Sequence, residues 1–390
     1  MKTAVLASAA AAVSATPWSG SLYVDTAPPT PRPYVLPKLS GQAVSIGSQI
    51  YRFAVTGNSS GGAFTLMNTH APDSPALGVL PHIHRRHYEN FYCAKGRVNL
   101  WAARNETGHH ARELSPGDYG AVPPGTTHTF QMTDPDTQLT GVIAPGGFEE
   151  LFIAIGDGAY ASPTGAEFVP AAAPGPPPGT NNSGPGAAGP PPGMISQLQS
   201  FDVFAQLDFQ PRQDMVNGSA PVDATWHTGS SAQALAPSPR APAFVAKNRG
   251  PKFLHAPAGA SAYQLVAPLS RAAHTRANFS MGTITMSAPF ANASATSPSS
   301  LTLPQPVAFQ LEEGELHVSV GKNASARLIQ GDVLFVPAGT EFSYTATRPF
   351  TRWLYVTGGG EGSLDELLIA QGKRWDWASY PVAPGVVVQG

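Results

Sequence analysis

A set of turn-forming residues occurs twice, in the same order, along this chain of 390 residues. The first copy holds Gly96, Gly117-Asp118, Pro123-Pro124-Gly125 and Gly146-Gly147, and the second holds Gly314, Gly331-Asp332, Pro337-Ala338-Gly339 and Gly359-Gly360. The first three positions recur at offsets of 218, 214 and 214 residues. Because Gly and Pro punctuate short elements of secondary structure, the repeat predicts one unit that is built twice. Two such units are expected to pack about an internal pseudo-twofold axis.

Hydrophobic periodicity within each copy indicates a mainly β fold. Short apolar or alternating runs bounded by Gly, Pro and Asn are typical of strands. Such runs occupy 63–68, 90–94, 97–102, 139–143, 316–320 and 352–357. Two stretches, 147–155 and 363–371, have helical character instead. The second begins with Ser363 and carries Glu366 three residues later, which predicts a capping box.

Composition divides the chain into two domains. The Pro- and Gly-rich stretch 170–193 lacks a hydrophobic pattern and has the composition of a linker. We expect an N-terminal barrel over 16–160, a linker over 161–193 and a C-terminal barrel over 194–390. Residues 1–15 are interpreted as a cleaved signal peptide, because Lys2 precedes an apolar stretch that ends in small residues at Ser14-Ala15.

Seven N-glycosylation sequons support the prediction of a secreted, extracellular protein that carries N-glycans. They lie at Asn58, Asn105, Asn181, Asn217, Asn278, Asn292 and Asn323. Attached sugars would supply solubility in a chain with only 12% charged residues. The single cysteine, Cys93, excludes an internal disulfide and lies in an apolar run, so it is expected to be buried. A net charge of −2 gives no reason to expect binding to nucleic acid or a membrane.

A group of histidines makes the N-terminal copy a candidate metal site. In a strand, His82 and His84 would point to the same face. Glu89 follows five residues later and can reach the same centre if the chain turns between them. His128, which follows the Gly117-Asp118 turn, is the candidate fourth ligand. Three imidazoles and one carboxylate leave a coordination position open, as a catalytic metal requires.

These residues resemble the two signatures of the cupin family. The first signature is present as His82, His84, Glu89 and Gly96, and the second as Gly117, Pro123, Gly125 and His128. The leading Gly of the first signature is displaced to Gly78, and the closing Asn of the second is Met132. The resemblance implies two cupin barrels in one chain, each a double-stranded β-helix of jelly-roll type.

The C-terminal copy keeps the turn residues but lacks the ligands. Its alignment with the first copy places Ser300, Thr302, Val307 and Phe342 at the positions of His82, His84, Glu89 and His128. We therefore expect one metal ion per chain and a C-terminal barrel without a metal site.

Within the cupins, the chain is similar to the fungal quercetin 2,3-dioxygenases, which are bicupins. The similarity implies an oxidoreductase that cleaves flavonols with O2 to a depside and carbon monoxide, with Glu89 as catalytic base as well as metal ligand. It also implies that Phe91 and Phe130 sandwich the flavonol. Tyr51, Met67 and Thr69 are expected to line the pocket. A purely structural place in the barrel core is the alternative for the two phenylalanines.

Several alternatives stay open at this stage. Copper is the favoured metal because divalent affinities rise toward copper, but iron, manganese, nickel and zinc suit the same ligands. Another secreted bicupin oxygenase, an oxalate-degrading enzyme and a non-catalytic small-molecule-binding bicupin are the competing functions. The sequence does not decide whether two chains form a homodimer. The remaining histidines, including His87, are interpreted as surface or structural residues.

Overall fold

The computed structural model of the chain describes residues 20–162, 165–168, 192–215, 235–257, 260–290, 300–377 and 379–381. The predicted signal peptide, most of the predicted linker and the sequons at Asn181, Asn217 and Asn292 lie outside these ranges. Within them, no helix is both long and apolar enough to cross a bilayer.

Strands dominate both halves. The first half contains β1 (Tyr34–Leu36), β2 (Ala43–Ile46), β3 (Gln49–Val55), α1 (Gly57–Ser60), β4 (Thr65–Ala71), β5 (His82–Ile83), β6 (Tyr88–Lys95), β7 (Val98–Arg104), β8 (Gly108–Leu114), β9 (Tyr119–Val122), β10 (Thr127–Met132), β11 (Thr137–Ala144), α2 (Glu149–Ile155) and β12 (Gly158–Ala159). The second half contains α3 (Pro192–Ser200), β13 (Phe204–Ala205), β14 (Ala243–Val245), β15 (Phe253–His255), β16 (Gln264–Ser270), a 3-10 turn (Ala272–His274), β17 (Phe279–Met286), β18 (Leu301–Thr302), β19 (Val307–Glu313), β20 (Leu316–Val320), β21 (Ala324–Leu328), β22 (Val333–Val336), β23 (Glu341–Ala346), β24 (Thr351–Gly358), α4 (Leu364–Ala370) and β25 (Lys373–Arg374).

Each half forms a barrel from two antiparallel sheets. In the N-terminal barrel, the strand orders are β12-β2-β3-β4-β11-β6-β9-β14 and β13-β5-β10-β7-β8. In the C-terminal barrel, they are β1-β22-β19-β24-β17-β16-β15-β25 and β18-β23-β20-β21. Apolar side chains from both N-terminal sheets, among them Cys93, Leu100 and Phe130, pack between the sheets. The prediction of a mainly β fold with two cupin barrels is confirmed.

Strands of each half pair with the other barrel: besides β13, which pairs with β5, one strand from each half occupies a matching position. β1 precedes the N-terminal barrel but pairs with β22, whereas β14 precedes the C-terminal barrel but pairs with β9. A matching polar contact follows each exchanged strand. The Lys38 N–H donates to the Asp332 carboxylate at 3.0 Å, and the Lys247 N–H donates to the Asp118 carboxylate at 2.8 Å. The two repeated Gly-Asp turns therefore anchor the exchanged strands in the same way, as a pseudo-twofold relation requires.

A shared core joins the barrels. Tyr34, Phe64, Tyr119, Phe279 and Phe335 belong to one buried cluster that contains side chains of both halves. Burial of this much aromatic surface favours a fixed arrangement of the two barrels, because apolar area removed from water stabilises by about 25 cal/mol per Å².

The predicted elements are confirmed, with small shifts at their ends. The strand predicted at 316–320 coincides with β20, and the two predicted helices occupy Glu149–Ile155 and Leu364–Ala370. The predicted capping box is wrong. The Ser363 hydroxyl makes no capping bond and donates instead to the Asp365 carboxylate at 2.7 Å. Asp365 is fully buried and also accepts from Ser280, so it draws the hydroxyl away from the helix end.

Candidate metal centre

Two short strands and the turn between them bring the predicted ligands together. β5 carries His82, and His84 follows immediately, while β6 begins one residue before Glu89. β10 pairs with β5 so that His128 lies directly opposite His82. All four residues are buried, none being more than 7% exposed. The structure thus places residues from distant stretches of the N-terminal barrel around a single point.

The four ligand atoms lie within 4.8 Å of one another. Glu89 Oε2 lies 2.8 Å from His128 Nε2, 3.0 Å from His84 Nε2 and 3.9 Å from His82 Nε2. His82 Nε2 and His84 Nε2 are 3.2 Å apart. Each histidine therefore points its Nε2 atom at the same small space.

Backbone carbonyls fix the orientation of all three imidazoles. The Nδ1 atoms of His82, His84 and His128 lie 2.7, 2.9 and 3.0 Å from the carbonyl oxygens of Leu80, Asp202 and Thr126. Because a carbonyl oxygen can only accept, each Nδ1 must carry a proton. In a neutral ring, Nε2 then holds the lone pair that binds a metal.

Electrostatics favour the protonation states that a metal requires. Burial lowers the pKa of His82 well below its ordinary value, and the neighbouring His128 and His84 lower it further. Burial raises the pKa of Glu89, but hydrogen bonds and positive charge from His128 and His84, which require a proton on Nε2, outweigh burial and hold the pKa well below its ordinary value. A metal cation that replaced those protons would favour the ionised carboxylate for the same electrostatic reason. A neutral imidazole and an ionised carboxylate are the ligand forms of these groups.

The donor set fits one transition-metal ion. Three lone-pair nitrogens and a carboxylate oxygen, buried at these short distances, would repel one another without a positive charge between them. Nitrogen and oxygen donors in this number suit copper, iron, manganese, nickel or zinc. His82, His84, Glu89 and His128 therefore form a candidate site for a single metal ion.

Two adjoining cavities reach this cluster, and Glu89 lines both. The larger has a volume of about 90 Å³, which is several times the roughly 10–15 Å³ that one water molecule requires. Its walls are apolar apart from a few groups, and they include Phe148 just before α2, Phe152 of α2 and Leu198 of α3. The space suits a small, largely apolar molecule.

The smaller cavity contains every residue that was predicted to bind substrate. Its walls include Tyr51, Met67, Thr69, Phe91 and Phe130. The Tyr51 hydroxyl donates to Gln49 Oε1 at 3.0 Å. Burial, and then the charge of Glu89, raise the pKa of Tyr51, so its hydroxyl stays neutral. That these side chains contact a substrate remains a prediction.

Phe91 and Phe130 do not flank an open slot, which differs from the expected sandwich. Their ring centroids are 5.8 Å apart with a tilt of 56°. Two rings around a third would need parallel planes about 7 Å apart, twice the usual carbon contact distance. The two phenylalanines contact each other and form one wall of the smaller cavity.

Residues beyond the linker contribute to the site, although none of them was predicted from the sequence. Met194 and Leu198 of α3 line the larger cavity, and the Asp202 carbonyl contacts His84. Four-residue spacing of Met194 and Leu198 is a helical signal that could have been recognised. His87, which was interpreted as a surface or structural residue, is buried and lies 2.8 Å from the Asp202 carboxylate through its Nδ1 atom.

Strand pairing corrects part of the alignment of the C-terminal copy. Leu301 lies opposite Phe342, as His82 lies opposite His128, so Leu301 rather than Ser300 occupies the first histidine position. Leu303, not Thr302, occupies the second, because its carbonyl accepts from Gly339 as that of His84 accepts from Gly125. Val307 pairs with Val336 as Glu89 pairs with Val122, which keeps the predicted match. The four equivalent side chains in the C-terminal barrel are apolar.

Comparison with known proteins identifies the family. No protein-family profile matches the chain. The quercetin 2,3-dioxygenase of Aspergillus japonicus is 45% identical over 370 residues, which cover 93% of this chain and 99% of the relative. The chain belongs to the quercetin 2,3-dioxygenase family. A quercetin 2,3-dioxygenase of Bacillus subtilis (strain 168) is 31% identical over 125 residues, 32% of this chain and 35% of the relative.

Solved structures with lower similarity also match this member of the quercetin 2,3-dioxygenase family. The formate complex of oxalate decarboxylase from Lactobacillus farciminis is 12% identical and aligns with a TM-score of 0.47 over 84% of this chain and 86% of that chain. Procruciferin, an 11S globulin from Brassica napus, is 13% identical and aligns with a TM-score of 0.47 over 85% of each chain.

Proposed function

We propose that this chain is a secreted copper-dependent dioxygenase that cleaves the heterocyclic ring of flavonols such as quercetin. One O2 is consumed, both of its oxygen atoms enter the ring-opened depside, and one ring carbon leaves as carbon monoxide. The observation that supports the proposal most strongly is the convergence of three histidine Nε2 atoms and the Glu89 carboxylate on one point beside an apolar cavity that His82 and Glu89 line. Membership of the quercetin 2,3-dioxygenase family supports the substrate class.

His82, His84, Glu89 and His128 would hold the ion. When bound, a copper ion would act as a Lewis acid toward the 3-hydroxyl oxygen of a flavonol and would supply the redox partner for O2. The backbone carbonyls of Leu80, Asp202 and Thr126 keep the three imidazoles in the binding orientation.

Glu89 is proposed as the base that accepts the proton of the 3-hydroxyl. It lines both cavities, and its carboxylate is ionised because its pKa lies well below the ordinary value. Only Oε2 contacts the histidines in the cluster, which leaves Oε1 available to a hydroxyl in the cavity. A positioned base of this kind typically contributes 10²–10⁴-fold to a rate.

The cavity walls orient the ring system and exclude water. Phe91 and Phe130 form one wall of the smaller cavity, while Phe148, at the start of α2, and Phe152 of α2 form part of the larger cavity. These apolar surfaces suit a flat aromatic molecule and would not compensate the two charges of oxalate, which speaks against an oxalate-degrading enzyme.

The proposed activity can be tested directly by anaerobic mixing with quercetin. Admission of O2 should then release one carbon monoxide into the headspace for each quercetin consumed. Loss of quercetin without carbon monoxide would contradict the proposed reaction, and unchanged quercetin would contradict enzymatic activity on this substrate.

Export and glycosylation are part of the proposal. The side chains of Asn58, Asn105 and Asn323 are exposed, which makes three of the sequons accessible to sugar transfer. Protein recovered from the medium of its native host should lose mass on treatment with an N-glycosidase. A chain that stays inside those cells without glycans would contradict this part of the proposal.

A further inference from the structure

The segment that follows α3 reaches back to the proposed metal site. β13 pairs with β5, and this pairing places Ala205 opposite His82. The guanidinium carbon of Arg85 lies 3.8 Å from the ring centroid of Phe204. Gln206 adds a hydrogen bond from its N–H to the Pro81 carbonyl at 2.8 Å. A segment more than 100 residues away in sequence thus forms part of the wall around the ligands.

Asp202 makes two different contacts in this segment. Its backbone carbonyl lies 2.9 Å from Nδ1 of His84. Its carboxylate accepts the backbone N–H groups of Arg85, Arg86 and His87 at 3.1, 2.9 and 3.2 Å. It also lies 2.8 Å from His87 Nδ1. The carboxylate therefore binds every backbone donor of the turn 85–87, which joins His84 to the strand of Glu89.

The backbone conformation of Asp202 is unusual for a residue with a side chain. Its φ angle is +67°, and the Val203 N–H donates to the Leu198 carbonyl, so Asp202 closes the end of α3 in a left-handed conformation. Glycine is the usual residue at such a position. An aspartate is placed here at a conformational cost, which its contacts to the turn must offset.

We propose that Asp202 is a positioning residue for the metal centre. Its carbonyl orients the ring of His84, and its carboxylate fixes the turn that sets the distance between His84 and Glu89. This inference rests on the proposed metal site. Partners that orient metal ligands typically change metal affinity by 10–100-fold when they are removed.

Three variants of the full chain separate the two contacts from each other and from folding. Asp202→Gly keeps the carbonyl and the left-handed backbone but removes the carboxylate. Asp202→Asn keeps one acceptor oxygen and replaces the other with a donor. Asp208→Asn is the matched control, because Asp208 is exposed in the same segment.

The measurement is a titration of the chelator-treated protein with Co2+, followed through the visible ligand-field bands. Asp202→Gly should raise the Kd for Co2+ by about 10–100-fold and change the band shape. Asp202→Asn should have an intermediate effect, and Asp208→Asn none. Hydrogen exchange of the amides at 85–87 should be faster in both Asp202 variants.

Three results would overturn the inference. Asp202→Gly and Asp202→Asn could bind Co2+ with the wild-type Kd and bands, whatever their amide exchange. Asp208→Asn could weaken binding as much as Asp202→Gly. Wild-type protein could fail to bind Co2+, which would overturn the metal site itself. A different outcome would contradict only the proposed reaction. In that outcome the Asp202 variants lose Co2+ affinity as predicted, but the wild-type protein releases no carbon monoxide from quercetin.

Discussion

At the residue scale, Glu89 combines two roles, as a proposed metal ligand and as a proposed base. Glu89→Gln keeps the size of the side chain and one oxygen but cannot accept the hydroxyl proton. We expect kcat with quercetin to fall by 10²–10⁴-fold, while much of the metal is retained. The control is Glu106→Gln, since Glu106 is exposed on the surface. Steady-state oxygen consumption with metal analysis checks this, and an unchanged kcat would remove Glu89 as the base.

A single added carbon atom at Gly78 should weaken substrate binding. A Cβ atom at this position would lie 2.3 Å from Cε2 of Phe130, which is far inside contact distance. Gly78→Ala must therefore displace the Phe130 ring, and overpacking of this kind costs about 1–3 kcal/mol. We expect a higher KM for quercetin and an unchanged metal content.

The control for Gly78→Ala is Gly193→Ala, because a Cβ atom there meets nothing within 4 Å. Steady-state kinetics give the KM for quercetin of both variants, and elemental analysis gives their metal content. A wild-type KM in Gly78→Ala would mean that the Phe130 ring does not contact the substrate.

At the element scale, α3 covers the larger cavity through one face. Leu198 is 7% exposed and packs in the same cluster as Phe152, whereas its neighbour Gln199 is exposed. Leu198→Ala should weaken the docking of α3 by about 2 kcal/mol. We expect faster proteolytic cleavage near α3 and a higher KM, and Gln199→Ala should leave both unchanged. Equal cleavage rates in the two variants would contradict this role of α3.

The sequence predicted those parts of the fold and site that depend on local pattern. Strands such as Leu316–Val320 follow from alternation, because every second side chain faces the barrel interior. His82 and His84 could be identified because their spacing is set within one short strand and turn. Asp202 could not, since its contacts with 85–87 join stretches more than 100 residues apart. The sequence alignment matched Ser300 instead of Leu301 with His82. The reason is that the turn after Leu303 is one residue shorter than the turn after His84.

At the scale of the whole molecule, the barrels depend on each other through their exchanged strands. The contact of Asp332 with Lys38 anchors β1 on the C-terminal barrel. The contact of Asp118 with Lys247 anchors β14 on the N-terminal barrel. The C-terminal half, although apolar at all four ligand positions, therefore contributes to the structure of the barrel that holds the candidate metal site. It supplies β14 to the sheet that contains Glu89.

Acid stability of the whole molecule should depend on His70. Burial, followed by the charge of Arg52, lowers the pKa of His70 to about 4 from an ordinary value of 6.5. The unfolded chain therefore binds the proton more readily, and stability is lost as pH falls from about 6.5 to about 4. The loss should be on the order of 2–3 kcal/mol.

His70→Asn should reduce the difference in unfolding free energy between pH 7 and pH 4.5, measured by urea denaturation. His317→Asn is the control, because the His317 side chain is 56% exposed. If His70→Asn shows the same acid loss as the wild type, another group is responsible.

Four side chains of the N-terminal barrel are proposed to hold one metal ion, and the proposed function depends on this site. Elemental analysis of the purified, dialysed protein tests it most directly, with His128→Ala analysed in parallel. We predict close to one transition-metal ion per wild-type chain and almost none in the variant. A wild-type protein that cleaves quercetin without a stoichiometric metal, or a His128→Ala variant with full metal content, would contradict the claim.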